Sequence, residues 1–101
     1  VNPLFTIRYL STAQRDLVEI FAYIKKDRPE AASGLLRKFD KFIAHLAANP
    51  ELGTIPKDER LKRLGYRVLV IDKYLVFYVL KHKTVQIRRV IHGARKYNFL
   101  F

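Results

Sequence analysis

The chain has 101 residues, half of them hydrophobic, and carries Lys+Arg 20 against Asp+Glu 9 for a formal net charge of +11. That length suits one domain with a core of its own and leaves no room for two. The absence of cysteine excludes a disulfide framework, a thiolate nucleophile and a zinc–cysteine site.

His45, His82 and His92 are too scattered to suggest a metal site, and nothing calls for a cofactor. No apolar run approaches the roughly 18 residues of a membrane span, and residues 1–5 do not read as a secretory signal. The expectation is a small soluble cytoplasmic protein with no membrane partner. The charge is uneven. Residues 1–50 hold eight basic and five acidic side chains, residues 51–101 twelve and four, and nothing acidic follows Asp72. Such a field attracts polyanions and acidic protein segments alike, and salt weakens the attraction.

In chain order, residues 4–9 are aromatic and β-branched, which suits a strand. Ser11 and Gln14 have the spacing of a capping box. Ala13, Leu17, Ile20, Phe21 and Ile24 then recur at helical spacing and form one apolar stripe. Asp27-Arg28-Pro29 interrupts it, because the residue before a proline avoids the helical region. A second stripe runs through Ala32, Leu35, Leu36, Phe39, Phe42, Ile43 and Leu46 and stops at Asn49-Pro50. So short a break predicts an antiparallel helical hairpin. Residues 50–63, punctuated by Pro50, Gly53 and Pro56, read as loop. Three strands follow, at 66–71, 74–80 and 85–91, joined by short turns at Asp72-Lys73 and Lys81-His82-Lys83. The unbroken apolar run at 74–80 predicts a central strand covered on both faces. Residues 94–101 form a short basic-aromatic tail. The expected fold is α+β: a small antiparallel sheet in β-α-α-β-β-β order, with the helical hairpin packed on one face.

This ordered set resembles the RelE/ParE superfamily of bacterial type II toxin–antitoxin toxins, over essentially the whole of residues 1–101. The resemblance rests on Ala13-x-x-Asp16-Leu17-x-x-Ile20 and Tyr23-Ile24, then Leu46-x-x-Asn49-Pro50-x-x-Gly53. It continues in Gly65-Tyr66-Arg67-Val68-Leu69, Tyr74-Leu75-Val76-Phe77-Tyr78 and Val85-x-Ile87-x-Arg89-Val90-Ile91-His92-Gly93-x-Arg95. It implies a growth-inhibiting toxin neutralised by a cognate antitoxin. RelE-like members cleave messenger RNA on the ribosome, whereas ParE-like members inhibit DNA gyrase. One scaffold serves both, so side chains must decide.

For the ribonuclease reading, cleavage needs a base, an acid and cations around the phosphate. The resemblance implies Arg95 for the phosphate and a C-terminal tyrosine, here Tyr97. His92, of a residue type that titrates near neutrality, is the candidate acid or base. Lys62, Arg63, Arg67, Arg88, Arg95 and Lys96 are the candidate phosphate- or target-binding residues. Two departures weigh against it. Leu75 stands where RelE-like enzymes often carry arginine, and the strand at 66–71 offers only Arg67 where theirs is lysine-rich. Tyr97 also follows Arg95 more closely than in that pattern. Strand alternation places Arg88 and Arg89 on opposite faces, which keeps them from serving one site. Gyrase inhibition needs basic and aromatic anchors rather than a tuned acid and base, and the sequence leans that way. A nonenzymatic nucleic-acid binder explains the charge but not the ordered motifs.

Overall fold

In the computed structural model, which describes residues 4–95, a four-stranded sheet in the order β1-β4-β3-β2 carries a helical hairpin on one face. The chain runs β1 (Thr6–Tyr9), α1 (Ser11–Asp27), α2 (Pro29–Ala48), α3 (Glu59–Arg63), β2 (Tyr66–Ile71), β3 (Tyr74–Lys81) and β4 (Thr84–His92). The β-α-α-β-β-β order and the packed hairpin are as expected. The antiparallel expectation holds for β2, β3 and β4, but β1 joins β4 in parallel, so the sheet is mixed. This direction lets the chain pass from Tyr9 into α1 beside the stretch of β4 that β1 leaves uncovered.

The entry into α1 differs from the expected capping box. Leu10 is the N-cap residue and Ser11 is already helical, because the Leu10 N–H is tied to the Ile87 carbonyl and extends the β1 ladder by one residue. Gln14 still reaches back, donating from Nε2 to the Tyr9 carbonyl at 2.9 Å. A single residue, Arg28, separates the helices. Pro29 begins α2, where its missing N–H costs nothing and its fixed φ is already helical.

The two stripes close on the sheet. Fully buried Ala13 lets α1 approach closely, and Leu35, Phe39, Ile43 and Leu46 of α2 join Leu69, Ile71, Val76, Tyr78, Val85, Ile87 and Val90. Phe21 meets Phe39 edge-on across the hairpin, with ring centroids 6.0 Å apart. The central strand is covered on both sides, as its composition predicts. Val76 and Tyr78 face the helices, while Phe77 and Val79 pack with Leu61, Tyr66 and Ile91 in a second cluster.

That second cover comes from α3, where sequence reading expected only loop. Asp58 caps it, accepting from the Leu61 N–H at 3.0 Å, and Leu61 is fully buried beneath it. Five residues are too few to show a helical period, so the local cap was the only signal.

Candidate functional site

Around Tyr66 the α3 face gathers several of the predicted cations. The β3–β4 register slips by one residue there: Phe77 opposes Arg89 and Tyr78 opposes Ile87, leaving Arg88 as the extra residue of a bulge. A bulge breaks alternation and turns successive side chains to the same side. The expected opposite placement of Arg88 and Arg89 is therefore overturned. Arg88 lays its guanidinium 5.5 Å from the Tyr66 ring centroid and donates from Nη2 to Gln86 Oε1 at 3.1 Å. Its Nε is buried with no hydrogen-bond partner among the described residues. Arg89 lies opposite Phe77, in the field of the same tyrosine.

Arg89 is not a free cation. Its Nε and Nη2 donate to Asp16 Oδ2 and Oδ1 at 2.8 and 3.0 Å, and the Val90 N–H donates to Oδ2 at 2.9 Å. The bond to Asp16 raises the guanidinium above its ordinary pKa, opposing the effect of burial. Thr12 Oγ1 donates to the Arg88 carbonyl at 3.1 Å. The first turns of α1 thus satisfy the edge of β4 beyond the end of β1. Sequence reading missed this pair, although Asp16 falls on the same helical face as Ala13 and Ile20, where an acid needs a partner.

Lys62, Gly65, Tyr66 and Arg67 line a hollow of 220 Å³ beside Ile55. Among the described residues Lys62 pairs with Glu59 at 3.5 Å, both exposed, and Arg63 lies in the last turn of α3. Arg67 is committed elsewhere, donating to the Gly53 carbonyl at 2.9 Å. The same loop is held by Tyr78, whose hydroxyl donates to the Pro50 carbonyl at 2.7 Å and accepts the Gly53 N–H at 2.9 Å. A Cβ on Gly53 would fall 2.8 Å from the Tyr78 ring and 2.9 Å from the Val68 carbonyl. This contact accounts for Asn49-Pro50-x-x-Gly53 and for the second tyrosine of the β3 motif as one folding unit.

His92 and Arg95 are not part of this grouping. Tyr66 opposes Val79 and Val79 opposes Gln86, whereas His92 opposes Tyr74 at the far end of the sheet. At about 3.3 Å per residue that is a separation of roughly 15–20 Å. His92 packs edge-on against Tyr74 on the helix side, at 5.4 Å between centroids. Its Nδ1 accepts the Ala94 N–H at 3.1 Å, and its carbonyl accepts the Arg95 N–H at 3.0 Å. The remaining predicted site residues, Lys96 and Tyr97, lie outside the described residues, as does the tail beyond Arg95. Among the described residues, the acids beside the cations of the Tyr66 region are held in ion pairs, Glu59 with Lys62, Glu51 with Arg67 and Asp16 with Arg89, and His92 is not among them.

On its outer face the helical hairpin presents an open apolar groove of 550 Å³, lined by Leu17, Val18, Phe21, Ala32 and Leu36 with Lys25 at its side. Val18 is 68% and Leu36 50% exposed, which leaves apolar surface on a molecule otherwise rich in charge. No helix among the described residues is long and apolar enough to cross a membrane.

Comparison with known proteins agrees with this architecture. Residues 7–97 match the family model described as the ParE toxin of the type II toxin–antitoxin system, parDE. Y4kP, a candidate toxin of Sinorhizobium fredii, is 32% identical over 91 residues, covering 90% of this chain and 91% of that protein. The fold is similar to that in a chromosomal ParDE system from P. aeruginosa, with a TM-score of 0.71 at 20% identity over 90% and 98% of the two chains. It is also similar to that in the RelBE2 toxin–antitoxin complex of Mycobacterium tuberculosis, with a TM-score of 0.62 at 26% identity over 88% and 98%. With the matched region spanning nearly all of the described sheet and hairpin, the chain belongs to the ParE toxin family of type II toxin–antitoxin systems.

Proposed function

We propose that this toxin arrests growth by binding DNA gyrase, as ParE-like members do, and that a cognate antitoxin silences it. What supports the binding reading over RNA cleavage is that His92 stands apart from Lys62 and Arg88, two of the cations named for the phosphate. The cations that line a hollow with it, Arg28 and Lys73, are not among those named for cleavage. His92 sits on the helix side and at the opposite end of the sheet from the cations gathered at Tyr66, with Nδ1 engaged by the Ala94 amide. Metal-free cleavage of RNA needs an acid, a base and phosphate-binding cations within hydrogen-bond reach of one another's targets. Protein binding asks only for a rigid surface with anchors. Lys62, Arg63, Arg88, Arg95 and Lys96 remain the proposed target-binding residues, and Arg67 contributes by holding the loop beside them.

The antitoxin reading is supported by the apolar groove on the hairpin and by the net charge of +11. An acidic amphipathic segment fits both, burying its apolar side in the groove while its charges meet the basic surface. The test is expression from a tightly controlled promoter. His92→Gln should arrest growth as the parent does, and co-expression of the antitoxin encoded beside it should restore growth. Loss of arrest in a His92→Gln protein that stays folded and still binds antitoxin would favour the ribonuclease mechanism, with His92, Arg95 and Tyr97 as its catalytic residues.

A further inference from the structure

A second hollow, of 310 Å³, lies between the α1–α2 junction and the β2–β3 turn, away from the cations around Tyr66. Three separate parts of the chain bring cationic or hydrogen-donating groups to it: Arg28 from the helix junction, Lys73 from the turn and His92 from the end of β4. Among the described residues neither Arg28 nor Lys73 has an ion-pair partner, and both side chains are exposed. Because His92 Nδ1 accepts the Ala94 N–H, a neutral imidazole carries its proton on Nε2 and is a donor. Tyr23 and Tyr74 add rings, and Leu35 adds an aliphatic side chain.

The charge balance selects the ligand. Arg28 and Lys73 are opposed by one acid, Asp72, which stands close enough to Tyr74 to help raise its pKa after burial has done so. The lining is therefore short of one negative charge, which suits a monoanion such as a carboxylate better than a dianionic phosphate. The tyrosine rings and Leu35 suit an apolar group attached beside that carboxylate. The hollow and the outer groove share no lining residue, but neighbouring chain positions at the end of the hairpin border both: Lys25 and Pro29 line the groove, while Ile24 and Arg28 line the hollow. A segment lying in the groove and rounding the α1–α2 junction reaches it.

We propose that this hollow is a carboxylate-binding subsite that takes an acidic side chain, flanked by an apolar residue, from the antitoxin. The assignment of the partner rests on the antitoxin reading above; the carboxylate chemistry rests on the residues named here. An acidic anchor held by Arg28, Lys73 and His92 fixes the register of a segment that the apolar groove alone would leave free to slide.

The test uses the isotopically labelled free protein and a blocked tripeptide, acetyl-Leu-Glu-Phe-amide, with its Leu-Gln-Phe counterpart as control. The Glu peptide should shift the amide resonances of Lys73, Tyr74 and Ala94, and the Gln peptide should bind at least about fivefold more weakly. Arg28→Gln combined with Lys73→Gln should weaken the Glu peptide about tenfold while leaving the rest of the spectrum in place. Equal binding of the two peptides, an unaffected double variant, shifts located elsewhere or no binding at all would each overturn the subsite. None of those outcomes depends on whether the antitoxin neutralises growth arrest, so failure of the subsite and failure of the antitoxin reading are separable.

Discussion

Two side chains that the sequence offers as family signature turn out to be braces of the fold. Asp16 takes three hydrogen bonds, two from Arg89 and one from the Val90 amide, and the pair is mostly out of water, with side-chain exposures of 18% and 12%. Removing one partner of a pair so placed leaves an uncompensated charge, at a typical cost of about 3 kcal/mol. Asp16→Ala should cost more than Arg89→Ala, because it also strands the Val90 N–H at the sheet edge. Urea unfolding of both variants and of the double variant checks this, and the two losses should be far from additive. Tyr78 is the second brace. Tyr78→Phe leaves the Gly53 N–H and the Pro50 carbonyl without their partner, and should cost about 1–3 kcal/mol. Burial raises the Tyr78 pKa against the lowering by the Gly53 N–H bond and Arg67, so the folded state favours the neutral phenol. That stabilisation is complete below the unfolded phenol value of about 10 and is lost as pH rises through the higher folded value. Alkaline unfolding curves should therefore be shallower for Tyr78→Phe than for the parent, with the contributions of Tyr9 and Tyr74 remaining.

Among the elements, the turns and the bulge set what the strands can present. His82 and Lys83 form the two-residue link from β3 to β4 with φ of 50° and 60°, the left-handed pair that right-twisted hairpins prefer and that side chains with a Cβ resist. Lys83→Gly should raise stability by about 1 kcal/mol, read as a shift of the urea midpoint with an unchanged slope. The strands, both long helices and the cover on each side of β3 were legible in the sequence, because their apolar periods extend over enough residues to average out exceptions. The bulge at Arg88 was not, since a period of two carries no sign of where one residue is skipped. That one skipped residue reversed the relation between Arg88 and Arg89. Nor was α3 legible, at five residues, or the parallel pairing of β1, which is decided by where α1 must begin. Of the candidate site, the types of residue were visible but their grouping was not. Lys62 lines a hollow with Tyr66 and Arg88 lies over its ring, while Arg67 is held to the Gly53 loop and His92 sits at the opposite end of the sheet.

At the scale of the whole molecule, the sheet separates two surfaces of different chemistry. One bears α3 and the cations around Tyr66; the other bears the helical hairpin, with its apolar outer groove and the Arg28–Lys73–His92 hollow. In the proposed function the hairpin face takes the antitoxin, while the target-binding residues lie partly on α3 and at Tyr66 (Lys62, Arg63, Arg88) and partly beyond the end of β4 (Arg95). The proposed activity is inhibition of gyrase by binding. The most direct measurement is supercoiling of relaxed plasmid by purified gyrase with increasing amounts of the free toxin. Supercoiling should fall as toxin is added and recover when the antitoxin is included. Undiminished supercoiling, together with cut messenger RNA at the A site of programmed ribosomes, would contradict the account.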